Sequence, residues 1–284
     1  LRTQHDKPVY VRLRETIGES GLVPAIARAS VPPAGIAALL AALQASRDDA
    51  RASIARVLGW LDGAEIDAAL ARAIGDPASR AAAADALVHR GARAVEPLLA
   101  MLAVDERDDG WVDEDDHATR RAAAAALGRL GSASAVPALI ELLDGAPDVA
   151  VVAAGALGHI GDPRAFEPLL AQLHHPHAAL RQVAVAALNS IGHPEMAARL
   201  PAMLADPSPH VREAAARVAG YFGDRALLEP MLVVCHDADE SVRRTAVEQL
   251  SRFDDPRART AIAAALEHGT PGVRAAAARA LAHV

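Results

Sequence analysis

The sequence predicts an all-α fold, a right-handed α-solenoid of stacked helical hairpins, and three observations carry that prediction. Of 284 residues, 52% are hydrophobic and only 2% aromatic, and seventy are alanine. Small aliphatic side chains in such excess suit close-packed helices, whereas sheets favour β-branched and aromatic residues. The second observation is a repeat: Arg51, Arg80, Arg120, Ala150, Arg181, Arg212, Arg243 and Arg274 follow one another at intervals of 29, 40, 30, 31, 31, 31 and 31 residues. The third is the apolar pattern after each of these anchors, at offsets +3, +4 and +7, as in Ala123, Ala124 and Leu127. That is the period of a helix with one buried stripe.

Each unit reads in the same order. Four residues before the anchor stand Asp76, Asp116, Ser208, Asp239 and Thr270, whose side-chain oxygens are of the kind that cap the first N–H groups of a helix. One residue later come Pro77, Pro147, Pro209 and Pro271, suited to the first helical position, where proline forfeits no hydrogen bond. At offset +11, Gly91, Gly131, Gly161, Gly192 and Gly223 suit the left-handed residue just past a helix end. A further helix follows each turn, as over Ala165 to Leu173 and Arg225 to Val234. One such hairpin cannot bury its apolar face alone, so the units stack. Eight units fill residues 34–284, residues 1–33 read as an atypical N-terminal capping segment, and an acidic insertion at 104–116 explains the long interval of 40.

Two stretches, Ser208-Pro-His-Val-Arg-Glu-Ala-Ala-Ala-Arg-Val-Ala-Gly and Leu157-Gly-His-Ile-Gly-Asp-Pro, resemble the HEAT-repeat family in its short bacterial form, the PBS lyase HEAT-like repeat. That family's pattern reads D-x-x-V-R-x-x-A-A-x-A-L-G-x-I-G-D-P. The resemblance covers residues 34–284 and implies that the anchor helix of each unit lines the concave surface.

On a helix of 100° per residue, offsets +1, +2, +5 and +9 lie opposite the buried stripe and point into that groove. Offset +9 reads Trp60, His89, Arg129, His159, Ser190, Tyr221, Arg252 and His283. Aromatic, His and Arg residues in that number are the types found at binding hot spots. Offset +5 adds Arg56, Asp85, Arg217 and Glu248 around a small-residue centre at Ala125, Gly155 and Ala186. The expected function is therefore a non-catalytic scaffold that binds a protein or peptide along the concave face. The alternative is a small-molecule enzyme or carrier, lyase-like in keeping with the resemblance, using a central recess around Arg129, His159 and Ser190. In that reading His159, Arg129, Tyr221 and His89 are the catalytic candidates. The anchor arginines read as structural, bonding carbonyl or Asp groups of the adjacent turn.

The insertion carries eight carboxylates and one Arg between Asp105 and Asp116, which equals the whole net charge of −7. Trp111 within it is a candidate docking residue, and the segment suits a basic partner. Its spacing does not follow that of a calcium-binding loop. His174, His175 and His177 crowd one turn, but three converging metal ligands rarely come from so short a segment. No metal and no cofactor is expected.

The acidic balance argues against general nucleic-acid binding, which needs a basic face. A single cysteine, Cys235, leaves no intrachain disulfide. No apolar run is long enough to span a bilayer, and no signal-type apolar stretch opens the chain, which begins at Leu1 as a trimmed chain would. A soluble, cytoplasmic protein is the expectation. No His is followed by Glu, which disfavours di-iron hydroxylase chemistry of the HEAT class, and no nucleophile elbow, phosphate loop or dinucleotide fingerprint is present.

Overall fold

The computed structural model describes residues 31–46, 49–103 and 114–283. Among these residues there are sixteen α-helices and no strand. The N-terminal segment through residue 30 and the insertion through residue 113, Trp111 included, lie outside the described residues.

Two compact units divide between Ala156 and Leu157. The first holds α1 (Pro33–Ala45), α2 (Asp49–Leu58), α3 (Ala64–Ile74), α4 (Arg80–Arg90), α5 (Val95–Leu102), α6 (Glu114–Leu130), α7 (Val136–Glu141) and most of α8 (Pro147–Ile160). The second begins within α8 and continues through α9 (Phe166–Ala171), α10 (Ala178–Ile191), α11 (Met196–Leu204), α12 (Pro209–Phe222), α13 (Leu228–Val234), α14 (Glu240–Gln249), α15 (Pro256–His268) and α16 (Pro271–Leu281). In each unit the even-numbered anchor helices stack on one another in chain order, and α2, α4, α6, α10, α12, α14 and α16 each pack against the odd-numbered helix of their own hairpin.

The predicted stripe is the core. Ala123, Ala124 and Leu127 are fully buried, as are Ala184 and Leu188 of α10 and Ala215 and Ala219 of α12. The buried face is wider than the stripe, however. Ala82, Ala214, Thr245 and Ala276, at offset +2, are buried rather than turned into a groove, and Thr245 Oγ1 donates to Glu213 of the neighbouring anchor helix at 3.2 Å.

Close stacking of the anchor helices depends on small residues. A Cβ on Gly128 would lie 2.7 Å from Cα and Cβ of Ala156, and one on Gly158 would lie 2.8 Å from the same atoms of Ala187. Glycine inside a helix costs about 1 kcal/mol relative to alanine, and the backbone approach it permits offsets that.

The turns follow the sequence grammar with exceptions. Gly192 and Gly223 end α10 and α12 at φ of 60°, in the left-handed region, and Gly91, Gly131 and Gly161 also have positive φ. Asp239 and Thr270 cap α14 and α16 through their side chains. Ser208 makes no side-chain cap bond. Asp116 is not a cap at all, because α6 already begins at Glu114 and Asp116 lies in its first turn, where a carboxylate favours the helix dipole. Pro77 sits in a turn ahead of α4 instead of at its first position. The predicted helices at Ala165 to Leu173 and Arg225 to Val234 are broken by short 3-10 turns, Pro163–Ala165, Gln172–His174 and Arg225–Leu227.

Candidate functional site

The anchor arginines are committed to the turns. Arg181 Nη1 donates to the carbonyl oxygens of His175 and Pro176 at 2.8 and 2.7 Å, and Arg243 Nη1 does the same to Asp237 and Ala238 at 2.6 and 2.8 Å. Each guanidinium thus reaches back five and six residues to satisfy the turn before its own helix. Arg212 adds a bidentate pair with Asp237, and this holds the Asp237 carboxyl below the usual carboxylate range. These groups build the fold.

On the first unit, Arg56, Asp85, His89 and Arg129 are exposed, Trp60 is half-buried just past α2, and Gly155 is half-buried in α8. Arg129 Nη1 donates to Asp85 Oδ1 at 2.6 Å across 44 residues of sequence. His89 Nδ1 donates to the Asp85 carbonyl oxygen at 2.8 Å. Two neighbouring anchor helices, α4 and α6, are thereby joined on this face.

On the second unit, His159 and Ser190 are exposed, and Ser190 Oγ donates to the Ala186 carbonyl oxygen at 3.0 Å. Arg217 pairs with Glu213 at 2.9 Å and Arg279 with Glu248 at 3.3 Å. Tyr221 is 66% exposed.

The second unit also holds a cleft of about 410 Å³ lined by Asn189, Arg217, Gly220, Tyr221, Gln249 and Arg252. It gathers three predicted residues, Arg217, Tyr221 and Arg252, with three more, Asn189, Gly220 and Gln249. Two of these three stand out in the sequence. Offset +6 is Val or Ala in every unit except at Gln249, and Asn189 is the one amide at offset +8. Gly220 makes room for Gln249, since a Cβ there would lie 2.6 Å from the Gln249 Cβ. The Asn189 side-chain oxygen is buried and has no hydrogen-bond partner.

Other clusters are structural. The three histidines at 174–177 form a turn in which His175 Nδ1 accepts from the His177 N–H at 3.1 Å and its carbonyl accepts from Arg181, while His174 lies 3.4 Å from Asp206. Among the described residues no group of His, Cys, Asp or Glu is arranged to hold a metal ion. Burial pushes the Cys235 thiol up to about 12, which disfavours the thiolate near neutral pH. None of the described helices is long and apolar enough to cross a membrane.

The sequence is similar to known repeats. The family described as HEAT repeats matches residues 144–206 and 196–282, and the PBS lyase HEAT-like repeat matches residues 119–145. No curated protein matches the sequence. Among solved structures, the chain is similar to the complex of CpcE and CpcF of phycocyanin lyase from a Nostoc species, with 25% identity and a TM-score of 0.41, covering 78% of this chain and 95% of that one. It is also similar to a designed armadillo repeat protein in complex with a (KR)4 peptide, with 17% identity and a TM-score of 0.44 over 66% of this chain and 98% of that one. A third similar structure is the Escherichia coli protein YibA, with 19% identity and a TM-score of 0.49 over 80% of this chain and 85% of that one.

Proposed function

The chain belongs to the HEAT-repeat family, with matching repeats across residues 119–282, and on that premise we propose that it is a non-catalytic scaffold binding a protein or peptide along the concave face of its anchor helices. The single observation that carries this reading is the cleft around Tyr221 and Arg252. The Tyr221 ring, 66% exposed, and the Arg252 guanidinium both stay exposed there, beside helices whose Ala214, Ala215, Ala219 and Ala246 are buried by stacking. Tyr and Arg side chains contribute most where a partner covers them and excludes water. To such a partner the second unit offers His159, Ser190, Tyr221 and Arg252, and the first unit, taken by itself, offers Trp60, Arg56, Asp85, His89 and Arg129. In this reading residues 34–284 form eight stacked hairpins, residues 1–33 are a cap, and the acidic insertion at 104–116 is an added surface for a basic partner.

The test is affinity capture of a polypeptide from the source cells, repeated with Trp60→Ala, Tyr221→Ala and Arg252→Ala. The reading predicts that at least the Tyr221 and Arg252 variants lose the captured polypeptide while melting like the parent. Equal capture by all three variants would remove the groove from the account.

A further inference from the structure

The protein is acidic overall, yet the exposed face of the second unit is not. At offsets +1, +5 and +9 of α10, α12, α14 and α16 stand four arginines, Arg217, Arg244, Arg252 and Arg279, against two glutamates, Glu213 and Glu248. Both glutamates are already satisfied. Glu213 accepts from Arg217 at 2.9 Å and from Thr245 Oγ1 at 3.2 Å, and Glu248 pairs with Arg279 at 3.3 Å. Arg244 and Arg252 are exposed and have no carboxylate partner among the described residues. Two unneutralised guanidinium groups on one face, one of them lining the cleft, call for an anion.

The Asn189 amide lines the same cleft and carries both a donor and an acceptor. A peptide main chain offers an N–H and a C=O at every residue and so matches an amide, whereas a phosphodiester backbone offers acceptors alone. The occupant that satisfies both demands is a polypeptide with carboxylate side chains.

We propose, resting on the scaffold reading above, that this cleft binds an extended acidic peptide, with its main chain on the Asn189 amide, an apolar side chain on the Tyr221 ring and a carboxylate on Arg252. Packed helices lie roughly 8–10 Å apart and an extended chain rises about 3.3 Å per residue, so each anchor helix meets about every third residue. The recognised segment is therefore about six residues long, with an apolar and an acidic residue three positions apart.

Panning a displayed library of random twelve-residue peptides against the full chain tests this, followed by fluorescence anisotropy with the selected peptides. Selected sequences are expected to be enriched in Asp and Glu. Their affinity should fall at least tenfold on Arg252→Ala, and the same loss should follow from Glu→Gln in the peptide, with no further loss when both changes are combined. Asn189→Leu should weaken the same peptides without altering the preference for acidic residues. Neutral or basic peptides that bind and are lost on Tyr221→Ala would overturn the acidic specificity and leave the scaffold reading standing. Selection of no peptide would overturn both. Tighter binding of a twelve-nucleotide poly(dT) strand than of any peptide would replace the proposed occupant with single-stranded nucleic acid.

Discussion

Arg212 and Asp237 face each other through two parallel N–H···O bonds of 2.7 and 2.9 Å, and the same guanidinium holds the carbonyl oxygens of Asp206 and Pro207 at 2.8 and 2.9 Å. One side chain therefore ties the turn of its own hairpin to the turn of the next. Arg212 and Asp237 retain only 16% and 8% of their side-chain exposure, so little of the attraction is lost to solvent.

Lysine offers a point charge in place of this planar fork and cannot make all four bonds. Arg212→Lys is expected to lower the unfolding free energy by about 2 kcal/mol, the size of a lost set of charge-assisted hydrogen bonds. Arg212→Ala should lower it by roughly 3 kcal/mol, because it also leaves Asp237 buried without its cation. Denaturant titrations of the three proteins check both figures.

The same contact predicts a pH dependence. Asp237 is held below its ordinary value by Arg212, and Asp162 and Asp255 are held down at about 2 by Arg164 and Arg257 beside them. A carboxyl whose folded pKa is depressed binds fewer protons in the folded state, so its contribution is complete above the unfolded value of 3.8 and is lost as pH falls towards about 2. Urea midpoints should fall across that window, and less steeply in Arg212→Met than in the parent. A parent midpoint that stays level down to about pH 2 would contradict the assignment.

A second tie is deeper. Arg90 at the end of α4 donates to Asp67 on α3, to the Leu61 carbonyl oxygen and, at 2.8 Å, to that of Gly63, and both charged side chains are buried. Arg90→Met alone should cost about 3–5 kcal/mol, since Asp67 would be left unpaired. The double variant Asp67→Leu with Arg90→Met should recover most of that loss, which thermal melts of the single and double variants would show.

Helix stacking gives a prediction with opposing terms. Gly128→Ala gains roughly 1 kcal/mol in helix propensity, but the new methyl would sit 2.7 Å from the α8 backbone at Ala156. Overpacking of that kind costs about 1–3 kcal/mol, so a net loss of stability is expected, relieved in part by Ala156→Gly.

How much the sequence could tell follows from distance along the chain. The turn glycines, the buried stripe and the anchor arginines are local features, fixed within one unit of about 30 residues, and they are where the repeat places them. Arg129 is different, for it is engaged by Asp85 one whole unit away, and nothing in either hairpin alone announces that pair. Asn189 and Gln249 escaped notice because offsets +8 and +6 belong to helix packing in the other units, and only their amide chemistry marks them out. Asp116 misled for a local reason. Glu114 and Asp115 ahead of it are themselves favourable in a first helical turn, so the helix starts earlier, and Asp115 then reaches Arg80 at 3.1 Å.

The most direct test of the binding face is site-specific photo-crosslinking from two exposed positions of the second unit. A photoreactive residue in place of Tyr221 lies on the proposed face, whereas one in place of Val233, which is 71% exposed on α13, lies on the other helix layer and serves as the control. The account predicts that position 221 captures a polypeptide in the source cells, that position 233 does not, and that Arg252→Ala abolishes the capture. Capture from position 233 and none from position 221 would contradict it.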